Sequence, residues 1–143
     1  MRNFRLDDES GNQEALFSWA ELNVMRMPEL EFMHHVPNGG KRDRMTAIAL
    51  KRQGVKAGVP DIVLPASRAG YHALYIELKA GKNTATPKQK RWLKYLSDHG
   101  YYTAICYGWR TAADLITEYL EHPDHLGQNN QVYREEGAGN END

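Results

Sequence analysis

The segment that most constrains the fold is residues 58–81, GVPDIVLPASRAGYHALYIELKAG, which has the pattern of two short strands. Each strand has a carboxylate where an apolar residue would be more usual, Asp61 at the start of the first and Glu77 within the second. Because side chains alternate between the two faces of a strand, Glu77 and Lys79 share one face and the apolar residues beside them share the other. The segment therefore predicts a hairpin with one packed face and one charged face.

Antiparallel pairing of these strands predicts a close pair of carboxylates. If the loop is centred near Arg68 or Ala69, Asp61 falls opposite residue 76 or 77, and opposed Cβ atoms are only ~5 Å apart. Two carboxylates at this distance repel each other unless a proton or a cation lies between them, and oxygen ligands suit Mg²⁺ or Mn²⁺. The lysine on the same face would neutralise the charge that develops on a phosphate under attack. The pattern favours metal-assisted phosphodiester hydrolysis.

The same residues also have a simpler interpretation. A Glu and a Lys two positions apart on a strand usually belong to a solvated face with a weak cross-strand pair, and a Pro-Asp dipeptide is often only a turn. The combination favours a site, because Pro60-Asp61 and Glu77-Leu78-Lys79 both lie within strand patterns in the most basic part of the chain.

The charge of the chain is unevenly distributed, although its formal net charge is only −1. Residues 41–94 contain thirteen Lys or Arg against three acids, whereas residues 1–40 and 95–143 are acidic. This clustering favours a polyanion such as DNA as the partner, and the alternative is a set of separately solvated helix faces. Cys106 is the single cysteine, which excludes an intrachain disulfide, and neither a signal peptide nor an apolar run of ~18 residues is present. We expect an intracellular, cytoplasmic protein with no membrane partner.

The remaining segments predict four helices and two further strands in a chain the size of one domain. The helices are expected from about Asp8 to Met25, over 45–53, over 87–99 after the cap Thr86, and from a capped start at Thr111 and Asp114, and the strands over 31–36 and 101–108. From Pro123 onward few residues are apolar, which predicts a mobile tail.

The chain resembles the VRR-NUC family of the PD-(D/E)xK nuclease superfamily. The resemblance rests on Pro60-Asp61, on Glu77-Leu78-Lys79 and on five blocks in the family's order, residues 35–42, 54–65, 71–81, 86–101 and 106–120. It implies an α/β, restriction-endonuclease-like fold with a mixed central sheet flanked by helices. Residues 1–122 would form the nuclease domain, and residues 123–143 a polar, disordered tail. The small stand-alone members that the chain resembles are bacterial or phage nucleases.

The family's site residues can be carried over by position. The resemblance implies that Asp61 and Glu77 ligate Mg²⁺ or Mn²⁺, with the carbonyl of Leu78 as a further ligand, and that Lys79 is the catalytic lysine. Gln89 matches the glutamine that follows the ExK motif on the next helix, and its alternative is an ordinary polar residue of a first turn. No small-molecule cofactor is implied.

The acid on the first helix is either Glu9 or Glu14. The family places Glu and Gln four positions apart before a run that ends in Trp, which matches Glu9, Gln13 and Trp19, whereas Glu14 belongs to the solvent side of the predicted helix. We favour Glu9 as the catalytic acid, although Gly11 within the first turn is a poor helix former and keeps the choice open.

The residues expected to contact DNA lie in and around a glycine-rich loop. Glycines allow backbone N–H groups to approach a phosphate, and the neighbouring lysine and arginine supply charge. For the histidine of this set the alternative is a partly buried structural role. The predicted set is His35, Asn38, Gly39, Gly40, Lys41, Arg42, Lys82 and Lys88, with Lys90, Arg91 and Lys94 extending the positive surface.

The expected function is divalent-metal-dependent hydrolysis of branched DNA, as a homodimer that acts on four-way (Holliday) junctions in DNA repair. One domain supplies one site, and a two-fold symmetric pair would place two equivalent sites against a junction. The alternatives are a flap endonuclease or exonuclease of the same superfamily, a non-catalytic DNA-binding module, and a basic protein–protein adaptor. Candidate dimer contacts are Trp109, Tyr101 and residues 25–33.

Overall fold

A mixed five-stranded sheet organises the part of the chain that the computed structural model describes, residues 8–37 and 43–135. Its strands lie side by side in chain order, namely β1 His34–His35, β2 Ile62–Leu64, β3 Leu74–Lys79, β4 Tyr102–Tyr107 and β5 Gln131–Tyr133. The first three strands pair antiparallel, whereas β3, β4 and β5 pair parallel. Helices flank this sheet, so the predicted α/β fold with a mixed central sheet is confirmed.

Helices cover both faces of the sheet. They are α1 Glu9–Asn23, α2 Arg44–Arg52, α3 Pro87–Asp98 and α4 Trp109–Glu121, with short 3₁₀ helices at Pro28–Phe32 and Pro123–His125. The main core forms where α1 and α4 pack together over alternate residues of β2, β3 and β4, and Leu16 and Ile116 are fully buried there. Helix α3 packs against β4 and buries Leu93 and Leu96 outside that core. Within residues 8–37 and 43–135, no helix is both long and apolar enough to cross a bilayer.

The hairpin of β2 and β3 has the register that brings Asp61 and Glu77 together. The first residue of β2, Ile62, pairs with Ile76, so the position before it lies opposite Glu77, as predicted. The turn contains Ala69 and the glycine after it, whose φ angles of 51° and 86° are the two positive values that a type I′ turn requires. Arg68 and Tyr71 pair across this turn, and β2 then has one more residue than β3 between the turn and the first strand pair, Leu64 with Leu74. The turn and this extra residue together place residue 61 opposite Glu77.

Helix α4 begins two residues before the position predicted from Thr111 and Asp114. Its cap acceptor comes from another element, since the buried side chain of Asn12 in α1 accepts the N–H of Trp109 at Oδ1, at 2.9 Å. The N-cap residue itself, Gly108, makes no side-chain cap. Because the acceptor lies 97 residues away in the sequence, no local motif marks the start of this helix. The same bond ties the first turn of α1 to α4.

The predicted strand over 31–36 is shorter than expected. A 3₁₀ helix occupies Pro28–Phe32, and only His34–His35 pair with β2. Proline is favoured at the first position of a helical turn, where its missing N–H has no partner to lose. Helix α1 ends at Asn23, earlier than the Met25 expected from the sequence, and Pro28 begins a further turn that uses residues assigned to the strand.

The prediction of a disordered tail is wrong for residues 123–135. Strand β5 pairs parallel with β4, and the hydroxyl groups of Tyr133 and Tyr102 lie 2.5 Å apart. Asn129 accepts the N–H of Thr103 at 2.8 Å and donates its side-chain N–H to the carbonyl of Tyr101 at 2.8 Å. Polar side chains thus satisfy the backbone at the sheet edge, a role that a count of apolar residues does not detect. The sheet continues past residue 122, and residues 136–143 lie outside the described part of the chain.

Candidate active site

Two carboxylates meet at the open end of the hairpin. Glu77 is only 1% exposed, and both of its carboxylate oxygens are buried without a hydrogen-bond partner. Asp61 accepts the backbone N–H of Leu78 at Oδ2, at 3.0 Å, which holds the Asp61 side chain against β3. Burial, first, and then the neighbouring carboxyl group of Asp61 raise the pKa of Glu77 well above its ordinary value. The pair requires a proton or a cation to relieve this repulsion.

Lys79 and Glu9 form an ion pair beside these two carboxylates. The Lys79 residue is 6% exposed, and its Nζ lies 3.3 Å from Oε1 of Glu9 in the first turn of α1. The charge of Lys79 lowers the pKa of Glu77, but it does not offset the effect of burial. Glu14 is exposed on α1. The structure therefore brings Glu9, and not Glu14, next to the lysine.

Gln89 makes hydrogen bonds that cap helix α3, and it also lies at the candidate active site. It stands three residues after Thr86, the N-cap of α3, and the two residues form a capping box. The side-chain oxygen of Gln89 accepts the N–H of Thr86 at 2.9 Å, and the hydroxyl oxygen of Thr86 accepts the N–H of Gln89 at 3.2 Å. The amide of Gln89 is consequently held in one orientation at the start of α3. Both interpretations offered from the sequence, site residue and first-turn polar residue, fit this geometry.

These side chains surround one small cavity of about 200 Å³. Sequence reasoning missed three of the residues in its wall, the N-cap Thr86 and two residues of the loop before β2. The full lining is Glu9, Ala57, Gly58, Asp61, Glu77, Lys79, Thr86, Lys88 and Gln89. The five residues proposed as catalytic from the sequence thus lie around a single cavity.

Gly58 allows the loop before β2 to close on α3. Its φ angle is 90°, and a Cβ atom at this position would lie 2.8 Å from the backbone carbon of Lys88. Real Cβ contacts of this length do not occur between well-packed atoms, and the positive φ is itself unfavourable for residues other than glycine. The glycine four residues before it, Gly54, also has a positive φ but has no atom within 4 Å of the corresponding Cβ position. The glycine itself in GVKAGVPD was the only signal available to sequence reasoning, because its packing partner, Lys88, lies 30 residues further along the chain.

Only some of the residues proposed to contact DNA lie in the described part of the chain. Lys88 lines the cavity, and Lys82 is exposed in the turn after β3. Nδ1 of His35 lies 3.0 Å from the carbonyl oxygen of Asp61, a structural contact between β1 and the strand beside it. The remaining residues of the predicted loop, Asn38, Gly39, Gly40, Lys41 and Arg42, lie outside the described residues.

The donor set at the cavity fits a hard divalent cation. Three buried carboxylate oxygens have no hydrogen-bond partner: Oε1 and Oε2 of Glu77, and Oε1 of Glu9, whose contact with Lys79 is an ion pair. Among the described residues, no three His, Cys, Asp or Glu side chains are arranged to hold a metal ion by themselves. Mg²⁺ is nevertheless commonly held by one or two carboxylates, with water and substrate phosphate as its other ligands. The residues present therefore suit Mg²⁺ or Mn²⁺ better than a metal that needs a complete protein cage.

Comparison with known proteins agrees with the motif. The sequence model of the VRR-NUC domain matches residues 5–109. A solved structure described as a VRR_NUC domain protein is 31% identical in sequence, superposes with a TM-score of 0.68, and aligns over 79% of this chain and 88% of its own. No curated protein matches the chain. The chain belongs to the VRR-NUC domain family, and its function is of the nuclease type, in the processing of DNA.

Proposed function

We propose that this chain is a divalent-metal-dependent endonuclease that hydrolyses phosphodiester bonds in DNA. One observation supports the proposal above all others: the two carboxylate oxygens of Glu77 are buried without a hydrogen-bond partner beside Asp61, and Leu78 and Lys79 follow directly on β3. Burying an ionised carboxylate without a partner lowers the stability of the fold, and no structural contact of Glu77 compensates for this loss. A cation that binds there relieves it.

Each residue of the cavity has a part in this proposal. Asp61, Glu77 and the carbonyl of Leu78 would hold Mg²⁺ or Mn²⁺, which when bound supplies Lewis-acid chemistry to a phosphoryl oxygen. Lys79 donates to the phosphate and stabilises its developing negative charge, because a buried ammonium acts strongly in a site that excludes water. Glu9 forms an ion pair with Lys79 and holds it in position. Gln89 presents its side-chain N–H₂ at the cavity, with its oxygen held by Thr86.

The test is cleavage of labelled duplex and branched DNA by the purified chain with Mg²⁺, with Mn²⁺ or with a chelator. We expect cleavage only with a divalent ion, and a loss of rate of about 100-fold or more in Glu77→Gln and in Lys79→Ala. Glu14→Gln is the matched control, because Glu14 is an exposed acid on the same helix as Glu9.

Three outcomes would overturn the proposal. Undiminished cleavage in the chelator, or in the double variant of Glu77→Gln and Lys79→Ala, would remove the assigned chemistry. Binding of DNA without cleavage under any of the metals would favour a non-catalytic DNA-binding module. Absence of both binding and cleavage would favour a protein–protein adaptor.

We further propose that the chain acts as a homodimer on four-way junctions. One site per chain cuts one strand, and two-fold symmetry supplies the second site that paired cuts need. Exposed apolar side chains near the end of α1 support a contact there, since Leu22 is 82%, Met25 93% and Phe32 65% exposed. Trp109 and Tyr101, also considered from the sequence, are half-buried in the monomer.

Light scattering at micromolar concentration and matched cleavage of junction and flap substrates test this assignment. We expect a dimeric mass and preferential cutting of the junction at a fixed salt concentration, since phosphate contacts make affinity strongly dependent on salt. A monomeric mass with DNA bound, or cutting of flaps without cutting of junctions, would favour a flap endonuclease instead.

A further inference from the structure

Helix α3 has an exposed row of aromatic and basic side chains that its packing does not explain. Lys88, Trp92, Tyr95 and His99 follow one another at spacings of four, three and four residues, so they lie along one side of the helix. The helix buries a different side, through Leu93 and Leu96. The row therefore borders the packed face without belonging to the core.

The rings in this row are accessible and arranged in order. Tyr95 is 58% exposed, and its ring stacks on that of His99 with centroids 4.2 Å apart and planes 27° from parallel. Trp92 is half-buried beside it, and a surface groove of about 400 Å³ is lined by Arg91, Trp92 and Tyr95. Flat rings beside a groove, with a guanidinium at its wall, form a surface on which a planar ligand can stack.

The row begins at the candidate active site. Lys88 lines the catalytic cavity at the N-terminal end of α3, and Tyr95 stands seven residues further along the helix. At about 1.5 Å per residue, this places Tyr95 roughly 10 Å from Lys88 along the helix axis. One strand of a duplex rises about 3.4 Å per nucleotide, so Tyr95 lies within about three nucleotides of the place where a phosphate would be cut.

We propose that Trp92, Tyr95 and His99 form a stacking surface for unpaired bases of the DNA strand that enters the active site. The choice of DNA as the ligand of this surface rests on the proposed function. The stacking surface would make the chain prefer DNA that has unpaired nucleotides next to the cut. Proteins that bind single strands combine aromatic rings for the bases with positive charges for the backbone. Lys88 and Arg91 supply those charges at this surface.

Charge selects DNA over the other possible occupant, a second copy of this chain. A second copy would add its own Lys88 and Arg91 to a surface that is already positively charged, and like charges repel. The nearest acid on the helix, Asp98, already pairs with Lys94 at 3.0 Å, so it does not neutralise the row. A polyanion with flat bases satisfies both the charge and the rings.

The test measures binding without cleavage, in the Lys79→Ala background with Ca²⁺ in place of Mg²⁺. The probes are two oligonucleotides of the same sequence with 2-aminopurine two nucleotides from the expected cut, one fully paired and one with that strand unpaired. We expect Tyr95→Ala to weaken binding of the unpaired probe about tenfold and to abolish quenching of the 2-aminopurine by stacking, while the paired probe changes less than about twofold. Tyr95→Phe retains the ring and should behave as the parent does, and Val132→Ala removes an exposed apolar side chain from the edge strand β5 as a control.

Equal weakening of both probes, or unchanged quenching in Tyr95→Ala, would overturn the proposal. A lower molecular mass of Tyr95→Ala in light scattering would assign the row to self-association instead. The outcome is separable from the proposed function, because quenching depends on binding alone. Stacking without any cleavage by the parent chain would support this inference and contradict the nuclease assignment. Cleavage without stacking would support the nuclease assignment and contradict this inference.

Discussion

Glu77 is an acidic residue in the middle of a sheet, where its side chain lowers the stability of the metal-free fold. Its pKa is raised, first because the side chain is buried and then because Asp61 lies beside it. A carboxyl group whose pKa is raised on folding binds its proton more tightly in the folded chain than in the unfolded one. The free energy of unfolding should therefore fall as the pH rises from the ordinary value of 4.5 toward the raised one.

We predict that Glu77→Gln stabilises the metal-free protein at pH 8 and changes its stability little near pH 4. Glutamine has no proton to lose, so the decrease in stability with pH is removed, and the gain at pH 8 should be roughly 1–3 kcal/mol, or several degrees in Tm. Thermal unfolding from pH 4 to 9 in a chelator measures it, with Glu14→Gln as the control. Parallel pH profiles for Glu77→Gln and the parent would contradict the pKa assignment.

Elements in this fold depend on contacts between segments distant in the sequence as much as on local signals. The cap Thr86 and the pairing of the two carboxylate-bearing strands follow from local spacing, and the structure has both. Glu9, favoured over Glu14 on the resemblance to the family, lies beside Lys79, and its catalytic role remains a prediction. The start of α4 does not follow from local spacing, because its acceptor is Asn12 of α1. Likewise, the pattern near Gly58 shows a turn but not the backbone of Lys88 against which it packs. Local sequence patterns predicted the Asp61, Glu77 and Lys79 motif, whereas tertiary contacts determine which other segments pack around it.

Asn12→Ala should destabilise the junction of α1 and α4. The substitution removes the acceptor of the Trp109 N–H, and loss of a buried hydrogen bond of this kind costs about 1–3 kcal/mol. The control is Asn23→Ala, because Asn23 donates to the carbonyl of Trp19 within its own helix. Denaturant unfolding compares the two. An equal or smaller loss in Asn12→Ala would show that the cap contributes nothing beyond local helix capping.

Gly58→Ala should disturb the site more than Gly54→Ala does. Both glycines have positive φ, so both substitutions incur a backbone cost of roughly 1 kcal/mol. Only at Gly58 does the added Cβ meet the backbone of Lys88, which moves the loop away from α3. Stability should fall in both variants, and cleavage and affinity for Mg²⁺ should fall mainly in Gly58→Ala. Equal activity in the two variants would show that the loop position has no effect on the site.

At the scale of the whole molecule, residues 123–135 complete the sheet rather than follow it. Their polar composition predicted disorder because that expectation counted apolar burial. Here the side chain of Asn129 satisfies the backbone of β4 and Tyr133 reaches the hydroxyl of Tyr102. Composition cannot show this, since the same amide groups in an unpaired segment would bond to water.

Deleting residues 123–143 should lower stability and promote aggregation. The deletion uncovers the edge of β4, and a long unpaired edge strand is a template for pairing with other chains. Deleting residues 136–143 is the control, because it leaves β5 and its contacts in place. Thermal unfolding and light scattering of both truncated chains measure the difference. Equal stability of the longer deletion and the parent would show that β5 adds nothing to the fold.

Strands β1 and β5, which border the sheet, are only two and three residues long. Each therefore offers few free backbone N–H and C=O groups to a neighbouring chain, and short outer strands are a known protection against sheet extension. Edge-to-edge pairing between the sheets of two copies is consequently unfavourable. Any assembly of this protein must use side chains on helices and loops, where surface substitutions can tune the contact without altering the sheet that holds the carboxylates.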